Sequence, residues 1–255
     1  SGGIAPPNSA APQLTTSPAS AVGRYSAVLN GAAIENGTNV AFAFRYSTSQ
    51  ATVNGNGGTE VAVTTDNTTT SGGANVSYTV ARTITGLTCG TWYYYRLHGG
   101  GSNGSTQSFQ TDVCPSINAI SDRATNEDTA VTPFAVSSLN AAGLSSVTYS
   151  LDATSLGRGM SLNSGTFNWP AASIPDDPVG NTTYTVTVTA TYTEAGKGSS
   201  QDTDSFDIVV SAVNDLPTFT SVAPTTATED VQYVYNVTTS DIEGGAVSVA
   251  LVPGY

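Results

Sequence analysis

The sequence predicts an all-β chain of tandem β-sandwich modules, and three observations carry that prediction. Thr, Ser, Gly, Val and Ala dominate while only 10% of residues are charged, a composition that suits β-branched strands joined by small-residue turns. Short alternating runs recur between Asn-Gly, Gly-Gly and Ser-Asn-Gly turns, and no segment sustains a helical period. An internal repeat, "TNEDTAVTPFAV" at 125–136 and "ATEDVQYVYNV" at 227–237, places Glu127-Asp128 and Glu229-Asp230 102 residues apart, the length of one module. At 255 residues the chain holds two modules with real cores and part of a third.

The first twenty residues are rich in Pro, Ser and Ala and lack alternation, so residues 1–16 read as an extended N-terminal arm. Residues 17–114 form the first module, with strands expected in "YSAVLNGAA", "NVAFAFRYS", "TEVAVTT", "VSYTVARTITGL", "TWYYYRL" and "TQSFQTDV". If the last two pair as a hairpin around "GGGSNG", residues whose numbers sum to about 203 lie opposite each other. Cys89 and Cys114 satisfy that sum and would meet at the open end of the hairpin, which predicts a disulfide and an oxidising compartment. The alternative is two unrelated thiols.

The stretches "SAVLNGAAIENGTNVAFAFRYSTS" and "ITGLTCGTWYYYRLHGGGSNGSTQSFQT" resemble the fibronectin type III-like modules of bacterial extracellular proteins, over roughly residues 17–112. The resemblance implies a tyrosine corner at Tyr93 after Leu87. Strand alternation then turns Tyr95 and Leu97 inward and Trp92, Tyr94 and Arg96 outward. That outward stripe is the one candidate ligand platform, a place for a sugar or a partner module, with ordinary cross-strand packing as the other reading.

Residues 115–215 form the second module and carry "ATNEDTAVTPFAV", "SSVTYSL", "GMSLNSGTFNWP", "TTYTVTVTATY" and "DSFDIVVSAVNDLP", with Trp169 as core. These resemble a cadherin-like module of the dystroglycan-associated kind. Residues 216–255 begin a third module of the same kind, pairing Asn140-Ala141-Ala142-Gly143 with Asp241-Ile242-Glu243-Gly244, and about forty residues leave its sandwich incomplete. Two completions are open: more of a longer chain, or strands from a neighbouring molecule, with the N-terminal arm as candidate donor in a filament.

The net charge of −12 argues against nucleic-acid and anionic-membrane partners, and the absence of an apolar run of about 18 residues predicts no direct membrane insertion in this segment. The acids are unevenly placed, three in residues 1–111 and sixteen in 112–255. In cadherin-like arrays calcium sits at the joint between modules, and the resemblance assigns Glu127, Asp176 or Asp177, Asn214, Asp215, Asp241 and Glu243 to such a joint between the second and third modules. The bland reading is solvated turn residues. At the first joint the corresponding positions are Asn140, Ala142 and Tyr192, so no calcium is expected there.

Enzyme chemistry finds little support. His98 is the sole histidine and sits where strand meets turn, expected to be solvated, which excludes a multi-histidine metal site or a histidine dyad. Asp176 with Asp177, and Glu194 with Asp202 and Asp204, crowd single loops instead of facing across a cleft. The expectation is therefore a non-enzymatic structural or adhesive segment of an extracellular or cell-surface protein, with calcium as cofactor and other modules or copies of itself as partners. The alternatives are carbohydrate-binding accessory modules of a secreted enzyme, with polysaccharide as partner, or the subunit of an extracellular filament assembled by strand donation.

Overall fold

The computed structural model describes residues 11–36, 40–63, 74–176 and 180–253. By their internal contacts these divide into two compact units. The first takes the chain up to Ser116 together with Ser138–Thr148 and Ala190–Asp202; the second takes Ile117–Ser137, Tyr149–Thr189 and the described residues from Thr203 onward. The architecture is all-β, as the composition predicts.

The first sandwich is built from β1 (Gln13–Ser20), β2 (Ser26–Asn36), β3 (Phe42–Ser47), the one-turn helix α1 (Gln50–Asn54), β4 (Thr59–Ala62), β5 (Ala74–Thr85), β6 (Trp92–Gly99), β7 (Ser102–Asn103) and β8 (Gln107–Gln110). One sheet runs β1-β2-β5 and the other β4-β3-β6-β7, with β8 also on β6. Alternation along β2, β3, β5 and β6 turns Ala27, Leu29, Phe44, Val80, Ile84, Tyr93, Tyr95 and Leu97 into the shared core. The inward ring of Tyr95 meets Phe44 and Phe109 edge-on, and Tyr93 stacks on Phe109. Leu87 and Tyr93 are buried and the Tyr93 hydroxyl accepts the Thr88 amide at 2.9 Å, so the expected corner is present in geometry.

Three expectations for this region need correcting. Residues 13–16, expected in the extended N-terminal arm, are the start of β1 and pair with β2, so they are not available for donation; residues 1–10 of that expected arm lie outside the described residues. Their polar composition hid the strand, because what the inner position buries is Thr16, whose Oγ1 accepts the Leu97 amide at 3.0 Å. β6 pairs Trp92 with Gln110 of β8 and His98 with Asn103 of β7, one and two places short of the expected sum. Gly100 and Gly101, both at positive φ (54° and 80°), make a tighter two-residue turn than the quoted loop implied. Cys89 and Cys114 are nonetheless bonded, just beyond the ladder's open end, where Gly90 donates to the Asp112 carbonyl. His98, expected to be solvated, lies within β6 with its side chain only 17% exposed.

Beyond the disulfide come β9 (Ser116–Ile117), β10 (Arg123–Asn126), β11 (Val131–Ala135), β12 (Ser138–Leu139), β13 (Ser146–Leu151), the short helix α2 (Ala153–Gly157), β14 (Ser161–Asn163), β15 (Thr166–Trp169), β16 (Thr182–Glu194) and β17 (Gly198–Ser211). They form a four-stranded sheet β10-β17-β16-β13 and a three-stranded sheet β11-β15-β14. The period-two pattern of "TYTVTVTATY" buries Tyr184, Val186, Val188, Ala190 and Tyr192, and β17 answers with Phe206, Ile208 and Val210. In the second unit Phe206 meets Phe134 and Phe167 edge-on, and Trp169 is fully buried, its indole N–H donating to the Arg158 carbonyl at 3.0 Å. Only β18 (Thr218–Phe219) and β19 (Thr239–Ser240) are regular after Val213 among the described residues, and Leu216, Phe219, Val222 and Leu251 there are at least 69% exposed.

Candidate metal centre

One pairing in the second unit creates the site. β10 runs parallel to β17, with Asn126 opposite Ser211, so the residue after the strand is delivered to the segment that follows β17. That residue is Glu127, 1% exposed, whose amide donates to the Ser211 carbonyl at 3.0 Å and whose Oε1 accepts the Val213 amide. A buried carboxylate is tolerated only with such partners. The chain therefore wraps "SAVND" around Glu127, which explains why an acid can occupy an inner position there.

Glu127, Asp176 and Glu243 each bring a carboxylate oxygen within 4.8 Å of the others, although 116 positions separate the first from the last in sequence. Asp128 and Asp215 stand beside them, lining with Asp176, Leu216, Thr218, Ser240 and Ile242 a pocket of about 520 Å³. Desolvation, the negative charges of Asp215, Glu127 and Asp128, and a hydrogen bond shared with Asp215 push the Asp176 carboxyl above its ordinary range. Both oxygens of Glu243 are shielded from solvent and find no hydrogen-bond partner among the described residues. A cation at this place would satisfy shielded carboxylate oxygens that lack donors.

A hard divalent cation fits this donor set. Calcium takes six to eight oxygens at about 2.3–2.6 Å and tolerates irregular geometry, and the oxygens of Glu127, Asp176 and Glu243 would supply the protein share, with Asp215 and Asp128 adding charge. Of the other residues expected there, Asp177 lies outside the described residues. Asn214 turns its amide to the Asp215 carbonyl at 2.9 Å, and Asp241 Oδ1 accepts the Gly245 amide at 3.1 Å, fixing the turn that presents Glu243. Asp128 was not among the expected ligands. Its place in the repeated Glu-Asp pair was the available signal.

The outward stripe of the first sandwich is placed less simply. Trp92 is 52% exposed, but Arg96 is 9% exposed, because its guanidinium reaches the Asn54 carbonyl at 3.1 Å and Asn56 Oδ1 at 2.6 Å at the end of α1. Strand alternation gives the face a residue points to and cannot show that a helix covers that face. The platform loses its cation to a structural contact. Nearby, Arg45 binds Glu60 Oε2 at 2.8 Å and His98 Nε2 lies 3.3 Å from the same oxygen.

No protein-family model matches the sequence, and no curated protein matches it. Among solved structures it is similar to the sensor domain of the anti-sigma factor RsgI4 of Pseudobacteroides cellulosolvens (16% identity, 41% of this chain and 98% of that one, TM-score 0.31). It is also similar to the extracellular domain of protocadherin GammaB4 (14% identity, 92% and 41%, TM-score 0.31). A third likeness is to the eight N-terminal Ig domains of Down syndrome cell adhesion molecule, isoform 1.30.30 (13% identity, 82% and 30%, TM-score 0.29). The chain thus spans less than half the length of these last two proteins.

Proposed function

We propose that the chain is a non-enzymatic, structural or adhesive segment of a modular extracellular or cell-surface protein, in which calcium held by Glu127, Asp176 and Glu243 stiffens the joint between cadherin-like modules. The observation that carries this reading is the meeting of three carboxylates within 4.8 Å around shielded Glu243 oxygens that lack donors. A bound divalent cation supplies positive charge that offsets their mutual repulsion and favours the one arrangement in which all three converge. Glu127 is held by the backbone of Val213, Glu243 by the turn that Asp241 caps, and Asp176 by its own loop, so ligation ties three distant parts of the chain together. The Cys89–Cys114 bond supports secretion to an oxidising compartment. Its partners in this reading are other modules or copies of the chain. The polysaccharide alternative retains only Trp92 and Tyr94 of its platform.

Calorimetric titration of the 255-residue chain with calcium tests the reading. Saturable binding that is lost in Glu243→Gln, with a rise in melting temperature that chelator reverses, is the expected result. Absence of binding at millimolar calcium, or unchanged binding in Glu243→Gln, overturns it.

A further inference from the structure

A second attachment, apart from the carboxylate cluster, lies wholly within the first unit. The turn joining β16 to β17 closes through the Lys197 amide on the Glu194 carbonyl at 3.0 Å, with Gly196 at φ 72°. Its next residue, Gly198, rests on the ring of Tyr25: a Cβ there would stand 2.8 Å from Tyr25 Cβ and 3.0 Å from Cγ. Tyr25 is 1% exposed, and its hydroxyl lies 2.7 Å from Ser200 Oγ. The Lys197 carbonyl accepts the Gly86 amide at 2.6 Å, and the Tyr25 carbonyl accepts the Leu87 amide at 3.1 Å. Next to Tyr25 in the chain, Arg24 donates to the Asn140 carbonyl at 2.7 Å, and Asn140, at φ 54°, reaches the carbonyl of the disulfide-bonded Cys114 at 3.5 Å.

We infer that residues 197–200 and Asn140 form a clasp on the first sandwich, seated on Tyr25, that holds the β16–β17 turn in place without metal. The seat requires glycine at 198, because only a residue without Cβ lets backbone lie against an aromatic ring at this distance. Apart from the Lys197 Nζ–Glu194 Oε1 pair at 2.7 Å within the turn itself, its polar contacts run to backbone carbonyls and between the Tyr25 and Ser200 hydroxyls. The chain therefore combines a metal-free attachment in the first unit with a carboxylate cluster in the second. The clasp does not depend on the cluster's being a calcium site.

Amide exchange followed by NMR on the whole chain tests it, since among the described residues the Gly86 N–H is satisfied through Lys197 while the Thr88 N–H is satisfied inside the first sandwich by Tyr93. Gly86 should exchange on the order of a hundredfold more slowly than a free amide, equally with calcium and with chelator. In Gly198→Val its protection should fall at least about tenfold while Thr88 is unchanged. Should that variant fail to fold, Ser200→Ala, which removes only the partner of the Tyr25 hydroxyl, should raise Gly86 exchange about threefold and leave Thr88 alone. Free exchange of Gly86 in the unaltered chain, loss of its protection on chelation, or indifference to both substitutions overturns the clasp.

Discussion

Asp128 and Asp230 share one backbone conformation, φ 60°, although they lie in different repeats. Each sits in a turn closed by the same bond, Thr129 to Asn126 at 3.3 Å and Val231 to Thr228 at 3.2 Å. The repeat extends further, since Asn118 donates to Ser137 and Thr220 to Thr238, both at 2.9 Å. Sequence similarity between residues 125–136 and 227–237 thus reports a shared local structure.

The left-handed turn and the cluster can be separated at Asp128. Asp128→Val should cost about 1–2 kcal/mol, because a β-branched residue is strained at positive φ. Asp128→Asn keeps the turn, since asparagine tolerates that region, while removing one negative charge from the pocket. Urea denaturation should therefore distinguish the two variants from each other, and calcium titration should show weaker binding in both.

The disulfide closes a loop with a sequence separation of 25 residues. Replacing Cys89 and Cys114 together by serine should lower stability by about 3 kcal/mol, chiefly by releasing the unfolded chain. Denaturation of the double variant beside the parent measures this, and equal midpoints would contradict it.

His98 should make the first sandwich sensitive to mild acid. Burial, and Arg45 alongside it, hold the imidazole below its ordinary 6.5, against the pull of Glu60 and with a smaller push from Arg96. The folded state therefore favours neutral His98. Its contribution is complete above the unfolded value of 6.5 and is lost as pH falls through the lower folded value. Stability should decline as pH falls below 6.5, and the decline should shrink in His98→Gln; an identical decline in both would exclude His98 as its source.

Asp152 caps α2, accepting the Ser155 amide at 2.9 Å and hydroxyl at 2.6 Å, and also accepts the Thr187 amide at 2.9 Å. Burial alone would raise its carboxyl, but these hydrogen bonds outweigh that and hold it at about 2, below the usual 3.8. Its contribution is present above 3.8 and lost as pH falls toward 2. Asp152→Ala should cost about 1 kcal/mol at pH 7 and much less at pH 2.5, as read from denaturant midpoints at the two pH values.

Periodicity alone determined which faces of the long strands turn inward. In "TYTVTVTATY" every second residue is apolar, and a strand with period two has no other way to bury Val186 and Val188 together. The same local logic brought Cys89 near Cys114, because a hairpin fixes distance along both arms even when its register is off by one. Tertiary structure decided what local pattern does not encode. Thr16 became an inner residue because Leu97, 81 positions away, supplies an amide that its hydroxyl can satisfy. Arg96 was withdrawn from the surface by carbonyl oxygens of Asn54 and Asn56. Glu127 reached Glu243 only through the parallel pairing of β10 with β17 and the turn at Asp241. An alternating pattern specifies a face, whereas the group that meets that face is set by strand order and register, which are properties of the whole assembly.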